Sequence, residues 1–180
     1  NVTATPEIYT LYLHVALPIS PIWRFLARLG AMENPEQARS AASGLHVMEV
    51  FPALALLSLD TSFCSRLGAP KYNPGRRKTF RLLDWRRVAT VAAHEFRAFG
   101  LNEAAIWCAN EAERTSVGKA DQDRLDAMLC LLVAVFWRIA ERERSMMIGS
   151  LTEGYMVCPA SDEVRQRLEQ RAGELQIAIR

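Results

Sequence analysis

The stretch KADQDRLDAMLCLLVAVF, residues 119–136, sets the problem of the fold: three aspartates stand at its head, and no charge follows Ala127 for ten residues. Apolar side chains at helical spacing predict a helix from about Asp121 to Arg142. A helix start offers about four unpaired N–H groups and a partial positive charge, so Asp121 is expected as the N-cap and Asp123 in the first turn. Capping does not account for Asp126. Its neighbours along one face are Cys130, Val133 and Trp137, so its carboxylate points along an apolar stripe, where an unpaired charge costs several kcal/mol. Asp123 lies three residues earlier on the same face. A divalent cation held between the two would explain both.

Working outward, GYMVCP (154–159) reads as a short strand ended by proline, and SDEVRQRLEQRAGEL (161–175) as a capped helix with Val164, Leu168, Ala172 and Leu175 inward. Upstream, DWRRVATVAAHEFRAFG (84–100) predicts a helix capped by Asp84, its inward stripe being Trp85, Val88, Val91 or Ala92, Phe96 and Phe99. NEAAIWCANEAER (102–114) predicts another, with Ile106 and Trp107 inward. PIWRFLARLGAM (21–32) is a short helix with proline at its head. MENPEQARSAASG (32–44) is a polar loop or a weak helical turn. HVMEVFP (46–52) carries a compact strand signal, and ALALLSL (53–59) a helix packed back on it. Strands interspersed with helices predict an α/β fold. Two strands are few for a sheet, so strands are expected beyond those read.

Glu49 sits in the middle of that first strand, sharing a face with Val47 and Phe51. Glutamate is depleted in strands and needs a partner there: either solvent and a basic side chain on an edge strand, or the same cation as Asp123 and Asp126. Three acids of this kind suit the metal-assisted hydrolysis of a phosphodiester. The connection KYNPGRRKTFR (71–81) interleaves Lys71, Arg76, Arg77, Lys78 and Arg81 with Tyr72 and Phe80. Cations beside aromatics suit a phosphate backbone and stacked bases; a solvated surface loop is the plainer reading.

Composition narrows the rest. With 180 residues, half of them apolar and 23% charged, the chain is sized for one domain with its own core. A net charge of +2 does not by itself imply a nucleic-acid partner. Cys64, Cys108, Cys130 and Cys158 form no CxxC, which fits reduced thiols and a cytoplasmic location. No apolar run has the roughly eighteen residues of a membrane span. HEF does not extend to HExxH, and neither a Walker A loop nor GxGxxG occurs, so zincin and nucleotide-binding readings drop out. The opening NVTATPEIYTLYLHVALPIS (1–20) resembles translated sequencing-adapter read-through and is set apart from residues 21–180.

In order along the chain, HVMEVFPALAL, KYNPGRRKTFRLLDWRRV, KADQDRLDAMLCLLVA and GYMVCP resemble the family known as domain of unknown function 429. The resemblance implies a ribonuclease H-like fold and a predicted nuclease dependent on Mg2+ or Mn2+. Glu49, Asp123 and Asp126 would be its catalytic metal ligands; Lys71, Arg76 and Arg77 of the basic loop are the expected phosphate contacts of such an enzyme. It also implies an aspartate on a first strand ahead of Pro21, where residues 1–20 have none, so a partial domain with impaired activity is expected. The alternative from the same residues is a non-catalytic module binding nucleic acid, or a protein through the C-terminal helix.

Overall fold

Gly118, not Asp121, caps the long helix. The computed structural model describes residues 21–63 and 70–180; the opening segment, Cys64 and Gly68 lie outside them. Seven α-helices are assigned among the described residues: α1 Pro21–Arg28, α2 Pro35–Ser40, α3 Pro52–Leu59, α4 Leu82–Ala98, α5 Asn102–Ala112, α6 Lys119–Ile139 and α7 Asp162–Leu175. Two strands, β1 Ser145–Ser150 and β2 Gly154–Pro159, pair antiparallel with Met147 opposite Val157. The architecture is therefore mixed helix and sheet.

Helix α6 organises both halves. One side buries Leu125, Leu129 and Leu132 against Trp85, Val88, Ala92 and Phe96 of α4 and Cys108 of α5. The other buries Val133 and Trp137 against Met147, Tyr155 and Val157 of the sheet and Ala55 of α3. Each such side chain contributes about 1.5–3 kcal/mol of apolar burial, so α6 joins the helical layer to the sheet. Helices α4 and α5 are joined through Gly100, whose φ of +76° is the left-handed turn that glycine allows without strain. The expected α4 stripe is present, with Phe99 half-buried at its end. In α5, by contrast, Ile106 faces solvent and Ala105 and Cys108 face inward.

The sheet extends beyond its two regular strands. Residues 46–50 run extended beside β2, bridging in parallel at Val50–Val157, and the Val157 N–H donates to Glu49 O at 2.9 Å. The expected strand at HVMEVFP is thus an extended segment with isolated bridges. Proline brings no donor to a ladder, and Pro52 instead opens α3. On the far edge, Ile179 bridges Ile148, and Met147 and Arg180 exchange backbone hydrogen bonds of 2.8 and 2.9 Å. Strand β1, unread in the sequence, contains Gly149 at φ +91°, where a Cβ would come 2.3 Å from Gly154 O. Met146, Cys158 and Ala160 then pack under Leu168 of α7; Val164 and Ala172 are buried, whereas Leu175, expected inward, is exposed.

Two arginines clasp the far ends of α2 and α6. Arg39 donates to Trp137 O and to Ala140 O, while Arg138 donates to the Ala38, Arg39 and Ala41 carbonyls. Each guanidinium satisfies carbonyls left unpaired at the other helix's C-terminus, where the helix dipole favours a cation. Arg138→Ala is expected to lower unfolding free energy by about 1–3 kcal/mol, measured as a shift in the urea midpoint at unchanged slope. Arg138→Lys should not restore it, because a point cation does not span three carbonyls as a fork does.

Candidate functional site

Loop 71–81 is held at its base and shaped at its tip. The Lys71 N–H donates to Asp84 Oδ2 at 2.6 Å and the Arg81 N–H to Lys71 O at 2.8 Å, closing the loop on the first turn of α4. Asp84, expected as the cap of α4, instead sits in that first turn; Arg81 is the N-cap residue. At the tip, Gly75 N–H donates to Asn73 Oδ1 and Arg76 N–H to Asn73 O, then Thr79 and Phe80 N–H both return to Arg76 O. These tandem turns leave Arg76, Arg77 and Lys78 exposed; with Lys71 they line one open depression.

The loop holds five cations and no acid. Among the described residues, no carboxylate forms an ion pair with Lys71, Arg76, Arg77, Lys78 or Arg81. Elsewhere several arginines are paired with acids, as Arg87 is with Asp60 and Arg142 with Glu36 at 2.8 Å. An uncompensated positive patch is therefore concentrated here. The aromatic half of the sequence expectation fails: Tyr72 is only 6% exposed and packs into the core, and Phe80 is half-buried against it. Stacking of bases on Tyr72 is excluded by that burial.

Below the loop lies Asp126. Tyr72 donates its hydroxyl to Asp126 Oδ1 at 2.8 Å, and Gln122 Nε2 donates to Oδ2 at 2.9 Å. Burial, with the Asp126 carboxylate beside it, holds the Tyr72 phenol far above its ordinary range, so it stays protonated and donates. Burial, then Asp126, also pushes the Cys130 thiol up, which disfavours a thiolate nucleophile at this point. The partners that keep Asp126 were only partly visible in sequence. Gln122 lies one turn before it on the same helix, but Tyr72 is distant in the chain.

The three acids named from sequence are not brought together. Asp123 is on the solvent side of α6, its side chain 61% exposed, and pairs with Lys119 one turn back. Glu49 is exposed on the outer side of the extended segment, because Met48 and Val50 take the inward positions. Burial, then the Glu49 carboxylate, raises the Glu33 carboxyl. Asp121 accepts from the Gly118 N–H at 2.8 Å and pairs with Arg114 at 3.0 Å, so it belongs to the helix start. Among the described residues no group of three or more potential ligands is placed to hold a metal ion. The expected Mg2+ or Mn2+ set of Glu49, Asp123 and Asp126 does not fit this geometry: one acid is clasped by two protein donors, one by lysine, and one faces solvent elsewhere.

The family model described as "Protein of unknown function (DUF429)" matches residues 20–149. The chain belongs to this family. The DUF429 match runs from α1 into β1 and includes the cationic loop, Tyr72, Gln122 and all three acids. Neither a curated protein nor a solved structure matches the chain. Among the described residues no helix is long and apolar enough to cross a membrane.

Proposed function

We propose that this DUF429 chain binds nucleic acid through the phosphate backbone, using loop 71–81, without requiring a divalent metal. The observation that carries the reading is the set of five cations, none ion-paired with a carboxylate among the described residues, on a loop with an ordered base and tip. Lys71, Arg76 and Arg77 make phosphate contacts in this scheme, joined by Lys78 and Arg81. Phosphate contacts fix position and carry no sequence information, so binding is expected to be indifferent to base sequence. The ribonuclease H-like assignment belongs to the same proposal, supported by the family resemblance and by a long helix lying on a layer with both parallel and antiparallel pairings.

Hydrolysis of the bound strand by Glu49, Asp123 and Asp126 with Mg2+ or Mn2+ is the competing reading. It gains support from the resemblance, and it loses support from the separate environments of the three acids. Docking of a protein on α7 is weakened too, since Leu168 already packs on Met146 and Cys158 of the sheet and Val164 and Ala172 are buried.

Fluorescence anisotropy with a labelled 20-nucleotide strand tests the reading. Binding is expected at low salt in EDTA, with added Mg2+ not strengthening it, and log K should fall against log salt with a slope of about −3 to −4 if each cation displaces one counterion. Binding that chelation abolishes, or Mn2+-dependent cleavage lost in Asp126→Asn and Glu49→Gln, would establish the hydrolytic reading instead.

A further inference from the structure

We propose that Asp126 is a positioning residue: its carboxylate, through the Tyr72 hydroxyl, latches the cationic loop to α6 and sets the direction in which the loop presents its charges. The binding arm of this inference rests on the function proposed above; the latch itself does not.

The geometry leads there in steps. Among the described residues the hydrogen bonds of the loop tip, from Asn73 to Phe80, stay within the tip, so they shape the turns without fixing where the turns point. Orientation comes from the base. There Lys71 is tied to Asp84, Arg81 is tied to Lys71, and Tyr72 reaches 54 residues along the chain to Asp126. Five like charges on eleven residues repel one another, and a loop so charged holds one arrangement only if something outside it resists that repulsion. The Tyr72–Asp126 bond is charge-assisted and partly shielded from water by the burial of Tyr72, the strong kind of tether.

Asp126 is also held from behind. Gln122, only 6% exposed, donates to its second oxygen, so the carboxylate has both oxygens engaged and does not swing away from Tyr72. The other end of that amide, Gln122 Oε1, is buried without a partner. The amide is thus turned to serve Asp126 and leaves its own oxygen unsatisfied, an arrangement that costs stability and fits a demand for carboxylate orientation.

A ligand role for Asp126 and a latch role predict different things for Asp126→Asn. Asparagine keeps an oxygen to accept from Tyr72, and Gln122 can rotate its amide so that Oε1 accepts from the new NH2. Hydrogen exchange by mass spectrometry on the peptide covering residues 71–81 reads the latch directly. Tyr72→Phe, which keeps the buried ring, and Asp126→Ala are each expected to speed exchange in this peptide roughly tenfold, with peptides from α4 and α6 little changed. Asp126→Asn is expected to stay within about twofold of wild type. Unchanged exchange in Tyr72→Phe, or Asp126→Asn behaving like Asp126→Ala, overturns the latch. The same Tyr72→Phe protein is then titrated with the labelled strand, where weaker binding at an intact charge count is expected. Faster exchange in Tyr72→Phe combined with no binding by wild type upholds the latch and removes the proposed function, so the two failures are distinct.

Discussion

Trp137→Ala is expected to lower the unfolding free energy by about 3–5 kcal/mol. The indole is fully buried between α6 and the sheet, where it meets Val133, Met147, Tyr155 and Val157. Its Nε1 donates to Pro35 O at 2.7 Å, and Arg142 lies over the ring with its guanidinium carbon 4.6 Å from the centroid. Truncation removes the burial, opens a cavity, orphans a carbonyl and takes away the surface on which two arginines rest. Because domains of this size are stable by only about 5–15 kcal/mol, a loss of that order endangers the whole fold. Urea denaturation followed by far-ultraviolet dichroism measures it. Trp137→Phe should lose less, since an aromatic ring is kept and only the hydrogen bond and part of the indole's burial go. A cost below about 1 kcal/mol for the alanine variant would show that α6 and the sheet are not joined as described.

The second large effect concerns binding. Replacing Arg76, Arg77 and Lys78 together with alanine is expected to weaken oligonucleotide affinity roughly 30- to 100-fold near 0.1 M salt and to flatten the salt slope by about 2–3. All three side chains are exposed and none is ion-paired with a carboxylate among the described residues, so the melting temperature should move little. The slope is the decisive readout. A variant that lost affinity through damage to the fold would bind less at every salt concentration, but its slope would not change in proportion to the charges removed. Equal affinity in the triple variant would place the interface elsewhere and defeat the proposed function.

How much of this could be read from the chain depended on whether the deciding interactions were local. The inward stripe of α4 and the burial of Val133 and Trp137 follow from helical spacing alone, and they were legible. So was β2, with its bulky residues and terminal proline. Strand β1 was not, because Met-Met-Ile-Gly-Ser has no strong strand propensity and is held by pairing with β2 on one side and residues 178–180 on the other. The helix Pro35–Ser40 reads as little more than a turn, and Asn34, whose side chain accepts from the Gln37 N–H, together with Arg138, stabilises it from outside. Of the candidate site, the cations were plain from composition. Helical spacing places Asp126 in line with the buried Val133 and Trp137, but it does not show the donors that engage its oxygens, Gln122 one turn back and Tyr72 54 positions away. Glu49 failed for a related reason: which side of an extended segment faces inward is settled by what packs on it, and Met48 and Val50 won that contest.

The arginine clasp between α2 and α6 has a consequence for synthesis. Its hydrogen bonds join positions 97 to 101 residues apart, and the Trp137 indole reaches back 102 residues to Pro35. A nascent chain leaves the ribosome at about 5–20 residues per second, so the early helix waits on the order of 5–20 s for the partner that completes it. During that interval Pro35 and Ala38 have nothing to bury against, and a chaperone that holds short apolar segments would find them exposed. Slower translation ahead of residue 137 should lengthen that exposure, with a lower yield of soluble protein as its visible result.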